Sequence, residues 1–193
     1  MTAFKRVAVY CASSDSVPEV YFEAARGLGR LLAARGIGVV FGGGVVGLMG
    51  ACADAAMEAG GEVIGVIPEK LMALEVGHHG VTRLEVVPDM RQRKQRMEEL
   101  SDAFVAMPGG FGTLDEIFEA ACNTQLHYHL KPCGILNTDG YYDGVVQWLE
   151  RAIRETFVRD AHRDIVVSAD DPETLLTRMV EADLTGIAKW LER

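Results

Sequence analysis

Apolar residues along the chain fall into short, nearly uniform blocks separated by longer stretches of helical spacing. The blocks Arg6–Cys11 (RVAVYC), Gly38–Phe41, Glu62–Ile67 (EVIGVI), Thr82–Val87, Ala103–Ala106 and Pro132–Leu136 predict strands, and Asp164–Ser168 predicts a seventh. Helices are predicted over Pro18–Arg35, Leu48–Ala59, Asp89–Leu100, Thr113 to about His127, Tyr142–Phe157 and Pro172–Asp183. Strands that are apolar throughout are buried on both faces. Their regular alternation with helices implies βαβ units, hence an α/β fold: a Rossmann-like three-layer α/β/α sandwich on a mostly parallel sheet of about seven strands. The stretch Glu69–Gly80, ending Gly77-His78-His79-Gly80, has no clear period and reads as a mobile loop.

At 193 residues the chain is sized for one nucleotide-binding domain over 1–193, with no linker or internal repeat to divide it. The net charge of −9 argues against a DNA or RNA partner, which requires a broad basic face. It leaves room for a small anion held by a local cationic cluster. No apolar run reaches the ~18 residues that span a bilayer. The N-terminal MTAFKRVAVYCASS runs directly into a strand, so the expectation is a cytoplasmic protein without signal peptide or membrane partner. Cys11, Cys52, Cys122 and Cys133 have no CxxC spacing and read as buried reduced thiols, neither a zinc site nor a disulfide framework.

Two glycine-rich turns stand at strand ends, where ligands bind in open α/β sheets. Gly42-Gly43-Gly44-Val45-Val46-Gly47 follows the second strand and Pro108-Gly109-Gly110-Phe111-Gly112-Thr113 follows the fifth. Each leads into a helix whose first N–H groups lack partners, and glycine lets a phosphate approach them without a Cβ in the way. Thr113 is a candidate helix cap, with Glu116 three residues on as in a capping box. The first loop matches GxGxxG, but it follows the second strand, and the next strand ends at Ile67-Pro68 without the acid that would hold a ribose. A dinucleotide site is therefore disfavoured. No lysine follows at P-loop spacing.

The segment Asp89–Leu100, with Asp89 as its expected N-cap, carries its charges in reverse, with Arg91, Arg93 and Lys94 first and Glu98 and Glu99 last. A helix dipole favours acids at the start, so each misplaced charge costs about a few tenths of a kcal/mol. An anion over the first turn would offset that cost. His127 and His129 lie two apart and diverge on a helix, and His78-His79 lacks partners at zinc spacing apart from Glu75, so no metal site is predicted. No GxSxG, HExxH or Schiff-base lysine context appears.

The segments MRQRK (90–94) and PGGFGTLDE (108–116) together resemble the paired motifs of the Lonely Guy (LOG) family, the cytokinin riboside 5′-monophosphate phosphoribohydrolases. VYCASS, GGGVVGLMG, GVIPEKLM and QLHYHLKPCGILN extend the likeness over roughly residues 5–150. Such sequences have often been labelled lysine decarboxylases, although nothing here looks like a pyridoxal phosphate site. The resemblance implies hydrolysis of the N-glycosidic bond of a nucleoside 5′-monophosphate, of the N6-isopentenyl-AMP type and AMP itself, giving free base and ribose 5-phosphate.

It further implies Arg93 and Glu116 as the catalytic pair. Glu75 and Lys94 would contact substrate, with Gly109, Gly110, Phe111, Gly112 and Thr113 around the phosphate and Gly43 and Gly44 on the first loop. No metal or cofactor is required. Relatives form dimers, and the predicted helix after Thr113 is apolar on more than one face (Leu114, Ile117, Phe118, Ala120, Ala121, Leu126), so a homodimer is expected with that helix at the contact. Two departures stand out: Cys122 replaces the family's usual threonine, which puts a hydroxyl contact there in doubt, and Ala12 replaces a glycine. Two alternatives share the same features: an AMP nucleosidase without cytokinin preference, and a non-catalytic nucleotide or molybdenum-cofactor carrier, against which the Arg93/Glu116 pair counts.

Overall fold

The central apolar blocks form strands because both of their faces find cover. In β1 (Arg6–Tyr10), Val7 and Val9 enter one core cluster while Ala8 and Tyr10 enter another on the opposite side of the sheet. In the computed structural model, which describes residues 4–74 and 76–187, β1 is followed by β2 (Gly38–Phe41), β3 (Val63–Pro68), β4 (Arg83–Val87), β5 (Ala103–Ala106), β6 (Cys133–Leu136) and β7 (Val166–Ala169). They make one sheet in the order β4-β3-β2-β1-β5-β6-β7, with every pairing parallel.

The helices are α1 (Glu19–Ala34), α2 (Gly47–Glu58), α3 (Glu69–Met72), α4 (Met90–Leu100), α5 (Phe111–Gln125), α6 (Asp143–Arg154) and α7 (Pro172–Glu181). Leu28 and Leu32 of α1, Cys52 and Ala56 of α2, and Leu175 and Met179 of α7 fill one side of the sheet. Met97 of α4 and Ile117, Ala120 and Ala121 of α5 fill the other. The result is the expected Rossmann-like three-layer sandwich. From β1 the chain builds outward through β4, then returns to the opposite side of β1 with β5. The loops after β1 and β5 therefore diverge, opening a crevice at the carboxyl ends of the two central strands.

Three expectations need correction. The helix expected from Thr113 opens at Phe111 with Gly110 at its N-cap and no side-chain cap bond. An N-cap residue must lie outside the helical φ/ψ region, and Thr113 is already inside the first turn. Its Oγ1 instead packs beside Gly109, and Glu116 is engaged elsewhere. The stretch 69–80, expected as a mobile loop, opens with α3 and is tied to the first glycine loop. The Val45 N–H donates to the Val76 carbonyl at 2.9 Å and the His78 N–H to the Gly43 carbonyl at 2.8 Å, with Gly44 and Gly77 forming an antiparallel bridge. Finally, Cys11, Cys52 and Cys133 are buried thiols as expected, but Cys122 is exposed, because it lies on the outer face of α5. Asp89 caps α4 as predicted, accepting the Gln92 N–H at 2.8 Å.

Candidate active site

The crevice is a cleft of about 590 Å³, within the range of small-molecule sites. Its lining comes from the ends of three adjacent central strands: Cys11, Ala12 and Ser13 after β1, Gly42 and Gly44 after β2, and Gly110, Phe111, Gly112 and Thr113 after β5. Arg93 of α4 and Glu116 of α5 also line it. The motif halves, 23 residues apart in the chain, meet here: Arg93 Nη1 donates to Glu116 Oε1 at 2.7 Å. Arg93 is 8% exposed and Glu116 7%, so the pair is enclosed by protein except where it faces the cleft. The Arg93 Nε–H donates to the Val66 carbonyl at 3.2 Å, which fixes the plane of the guanidinium.

Room for that guanidinium comes from the first glycine loop. A Cβ on residue 42 would overlap the Arg93 guanidinium. Gly43 has φ +75° and faces back toward Ile67 and Val66, behind the cleft wall. Gly44 lines the cleft; Gly109 lies behind it, packed on Thr113.

Burial raises the Glu116 carboxyl above its ordinary range, and the attraction of Arg93 works against that rise. The outcome is a carboxylate held by a cation yet poorly solvated, the combination that favours proton transfer or stabilisation of positive charge. Burial also pushes the Cys11 thiol well up, so the cysteine on the cleft wall stays protonated and is no thiolate nucleophile.

Lys94, one residue from Arg93, points elsewhere. Its ammonium bonds Asp115 at 3.0 Å and Glu119, both on α5. Burial disfavours the charged form, but the two carboxylates outweigh it and raise the Lys94 pKa. The reversed charges of α4 are thus answered largely from within the chain, by the acids of α5. Glu75, the other expected substrate contact, lies outside the described residues.

An apolar wall completes the cleft: Met49, Ile67, Leu71, Leu74, Val76 and Met90. Half of it, Leu71, Leu74 and Val76, comes from the segment after β3, which pattern reasoning missed; the i, i+3 spacing of Leu71 and Leu74 was the available signal. His78 anchors this segment. Its Nδ1 accepts the Gly80 N–H at 3.2 Å, so Nε2 carries the proton given to Asp54 at 2.9 Å. A second hollow of about 310 Å³, bordered by α5, α6 and β7, contains neither Arg93, Glu116 nor either glycine loop.

A family model described as "Possible lysine decarboxylase" matches residues 49–179. The chain is 45% identical over 178 residues to a "Probable cytokinin riboside 5'-monophosphate phosphoribohydrolase" of Oryza sativa subsp. japonica, covering 92% of this chain and 73% of that protein. The chain belongs to the Lonely Guy family. Another member, a cytokinin riboside 5'-monophosphate phosphoribohydrolase of Arabidopsis thaliana, is 42% identical over 178 residues, covering 92% of this chain and 83% of the relative. The fold recurs in the molybdenum cofactor binding protein of Rippkaea orientalis, with TM-score 0.68, 24% identity and 97% of both chains covered. In this Lonely Guy chain the described residues that line the cleft include no lysine. No helix among the described residues is long and apolar enough to cross a membrane.

Proposed function

We propose that this chain hydrolyses the N-glycosidic bond of nucleoside 5′-monophosphates carrying an N6-substituted adenine, releasing the free base and ribose 5-phosphate. The observation that carries the reading is the buried Arg93–Glu116 pair facing the same cleft as the open N-terminus of α5. The names of the relatives agree with it. The 5′-phosphate sits against the N–H groups of residues 110–113, where the helix start favours an anion. That places the anomeric carbon near Glu116. As the glycosidic bond breaks, its electron pair leaves with the base and positive charge grows on the ribose. Glu116 stabilises that charge and orients the attacking water, accepting its proton, which then passes to the departing base and restores the carboxylate. The Arg93 guanidinium, a donor only, orients Glu116 and supports charge on the departing base. The apolar wall receives the N6 substituent.

We also infer a homodimer with α5 in or beside the contact. Phe111 is fully open and Leu126, Tyr128, Leu130 and Trp148 are exposed, more apolar surface than a lone α5 face needs. Light scattering is expected to give twice the chain mass at micromolar concentration; a stable monomer contradicts the inference.

The decisive experiment compares isopentenyladenosine monophosphate, AMP and the two phosphate-free ribosides by chromatography of the released base. Loss of the phosphate is expected to lower efficiency by several orders of magnitude, since each charge-assisted hydrogen bond contributes ~1.5–3 kcal/mol. Loss of the isoprenoid tail acts through apolar burial at ~0.8 kcal/mol per methylene, a smaller effect. Equal rates on nucleotide and riboside refute the phosphate site, and no base release from any of the four refutes the hydrolase.

A further inference from the structure

Between β5 and α5 the chain passes through three consecutive carbonyls, those of Met107, Pro108 and Gly109, each held by a donor from another part of the chain. The Tyr142 hydroxyl donates to Met107 O at 2.8 Å, the Ala12 N–H to Pro108 O at 3.1 Å, and the Tyr141 hydroxyl to Gly109 O at 2.9 Å. The two tyrosines are set by the turn after β6. There Asp139 and Gly140 both take left-handed φ values, 53° and 69°, and the Tyr142 N–H donates to Asn137 Oδ1 at 2.7 Å. Asn137 is itself held, giving Nδ2–H to Asp143 at 2.8 Å and its backbone N–H to Ala169 at 2.8 Å. The Tyr141 ring packs edge-on against Tyr21 on one side and Tyr142 on the other.

We infer that Tyr141 is a positioning residue for phosphate recognition, fixing which face of the Gly109–Gly110 peptide looks into the cleft. This rests on the nucleotide reading of the cleft given above. In a trans peptide the C=O and the following N–H point in opposite directions. Holding the Gly109 carbonyl on the tyrosine side therefore turns the Gly110 N–H the other way, toward the cleft that Gly110 lines. A peptide between two glycines has little steric resistance to turning over. Freed from the tyrosine, it can present its carbonyl to the phosphate and repel it. Tyr142 secures the buried end of the same segment, but Tyr141 is half in solvent, so its hydroxyl serves the loop more than the core.

The test is Tyr141→Phe, which removes the hydroxyl and keeps the ring contacts. The expected result is an unchanged melting temperature and a rise of about five- to tenfold in KM for isopentenyladenosine monophosphate, the scale of one hydrogen bond. Effects on kcat should be minor. The preference for nucleotide over riboside shrinks by the same factor, and ribose 5-phosphate inhibits more weakly in proportion. Equal losses on nucleotide and riboside, or unaltered inhibition by ribose 5-phosphate, overturn the assignment. Wild-type protein measured alongside separates the two failures: if it shows no phosphate preference, the nucleotide reading fails first, and the role of Tyr141 falls with it.

Discussion

The two glycine loops look alike in the sequence and are needed for opposite reasons. In the loop after β2, the glycines answer to the protein. A Cβ at Gly42 would overlap the Arg93 guanidinium, one at Gly43 would press on Ile67 and the Val66 backbone, and one at Gly47 would strike the backbone of Ser13. In the loop after β5, Gly110 and Gly112 have nothing within 4 Å of where a Cβ would stand. No neighbour in the chain forbids a side chain at those two positions, yet both line the cleft. Missing side chains in the first loop make room for other parts of the chain, the Arg93 guanidinium among them. In the second they leave room for something the chain itself does not supply. Gly109 belongs with the first kind, since its Cβ would meet Thr113.

The sharpest way to probe this contrast is to disable the pair that the first loop accommodates. Glu116→Gln keeps the shape of the carboxylate and removes its charge. Turnover is expected to fall at least ~10³-fold, as for loss of a principal electrostatic group, while nucleotide binding measured by calorimetry persists. Wild-type-like release of ribose 5-phosphate by this variant removes Glu116 from the mechanism.

Next in size is Gly42→Ala. The new methyl displaces Arg93 from its bonds to Val66 and Glu116, so both stability and activity should drop: by about 1–3 kcal/mol in chemical denaturation, as for overpacking, and ~10²-fold in kcat. A variant with normal kcat would break the comparison, because the first loop would then be an ordinary turn.

Gly112→Ala should separate the two properties. Residue 112 is helical and open, so alanine is neutral to stabilising by up to ~1 kcal/mol, yet KM for the nucleotide should rise about tenfold through contact with the phosphate. A lowered melting temperature would show that the second loop is packed like the first.

The smallest expected effect is on pH dependence. Under the proposed mechanism catalysis needs ionised Glu116, whose pKa in the folded protein is raised by burial against the pull of Arg93. The rate therefore falls as pH drops through a value above the ~4.3 of an ordinary glutamate. Above that pH the carboxylate is formed and the limb is flat. A kcat–pH profile in the wild type, over the range where circular dichroism reports intact protein, measures the limb; one at or below the ordinary value contradicts the assignment.

The strands and the two loop positions were legible because apolar blocks, glycine runs and an Asp89 cap are local features with local causes. The same holds for the pairing of MRQRK with PGGFGTLDE as a resemblance. Other features were not legible, for reasons that can be named. Arg93 and Lys94 are adjacent cations in the sequence, but neighbours on a helix point about 100° apart. Only the gap at Gly42 and the acids of α5 decide that Arg93 turns inward and Lys94 outward. Val76 and His78 tie down a stretch that has no period of its own, through backbone bonds to residues more than thirty positions earlier. Tyr141 reaches the Gly109 carbonyl across 32 residues of chain.

By itself, then, the sequence determined the layered fold and the kinds of chemistry at its strand ends, since these follow from side-chain periodicity and backbone freedom. The tertiary structure alone decided which cation meets Glu116, which glycines face protein and which face open cleft, and which hydroxyl holds the loop. Those are contacts between segments far apart in the chain, and they arise only once the sheet has brought the ends of β1, β2 and β5 side by side.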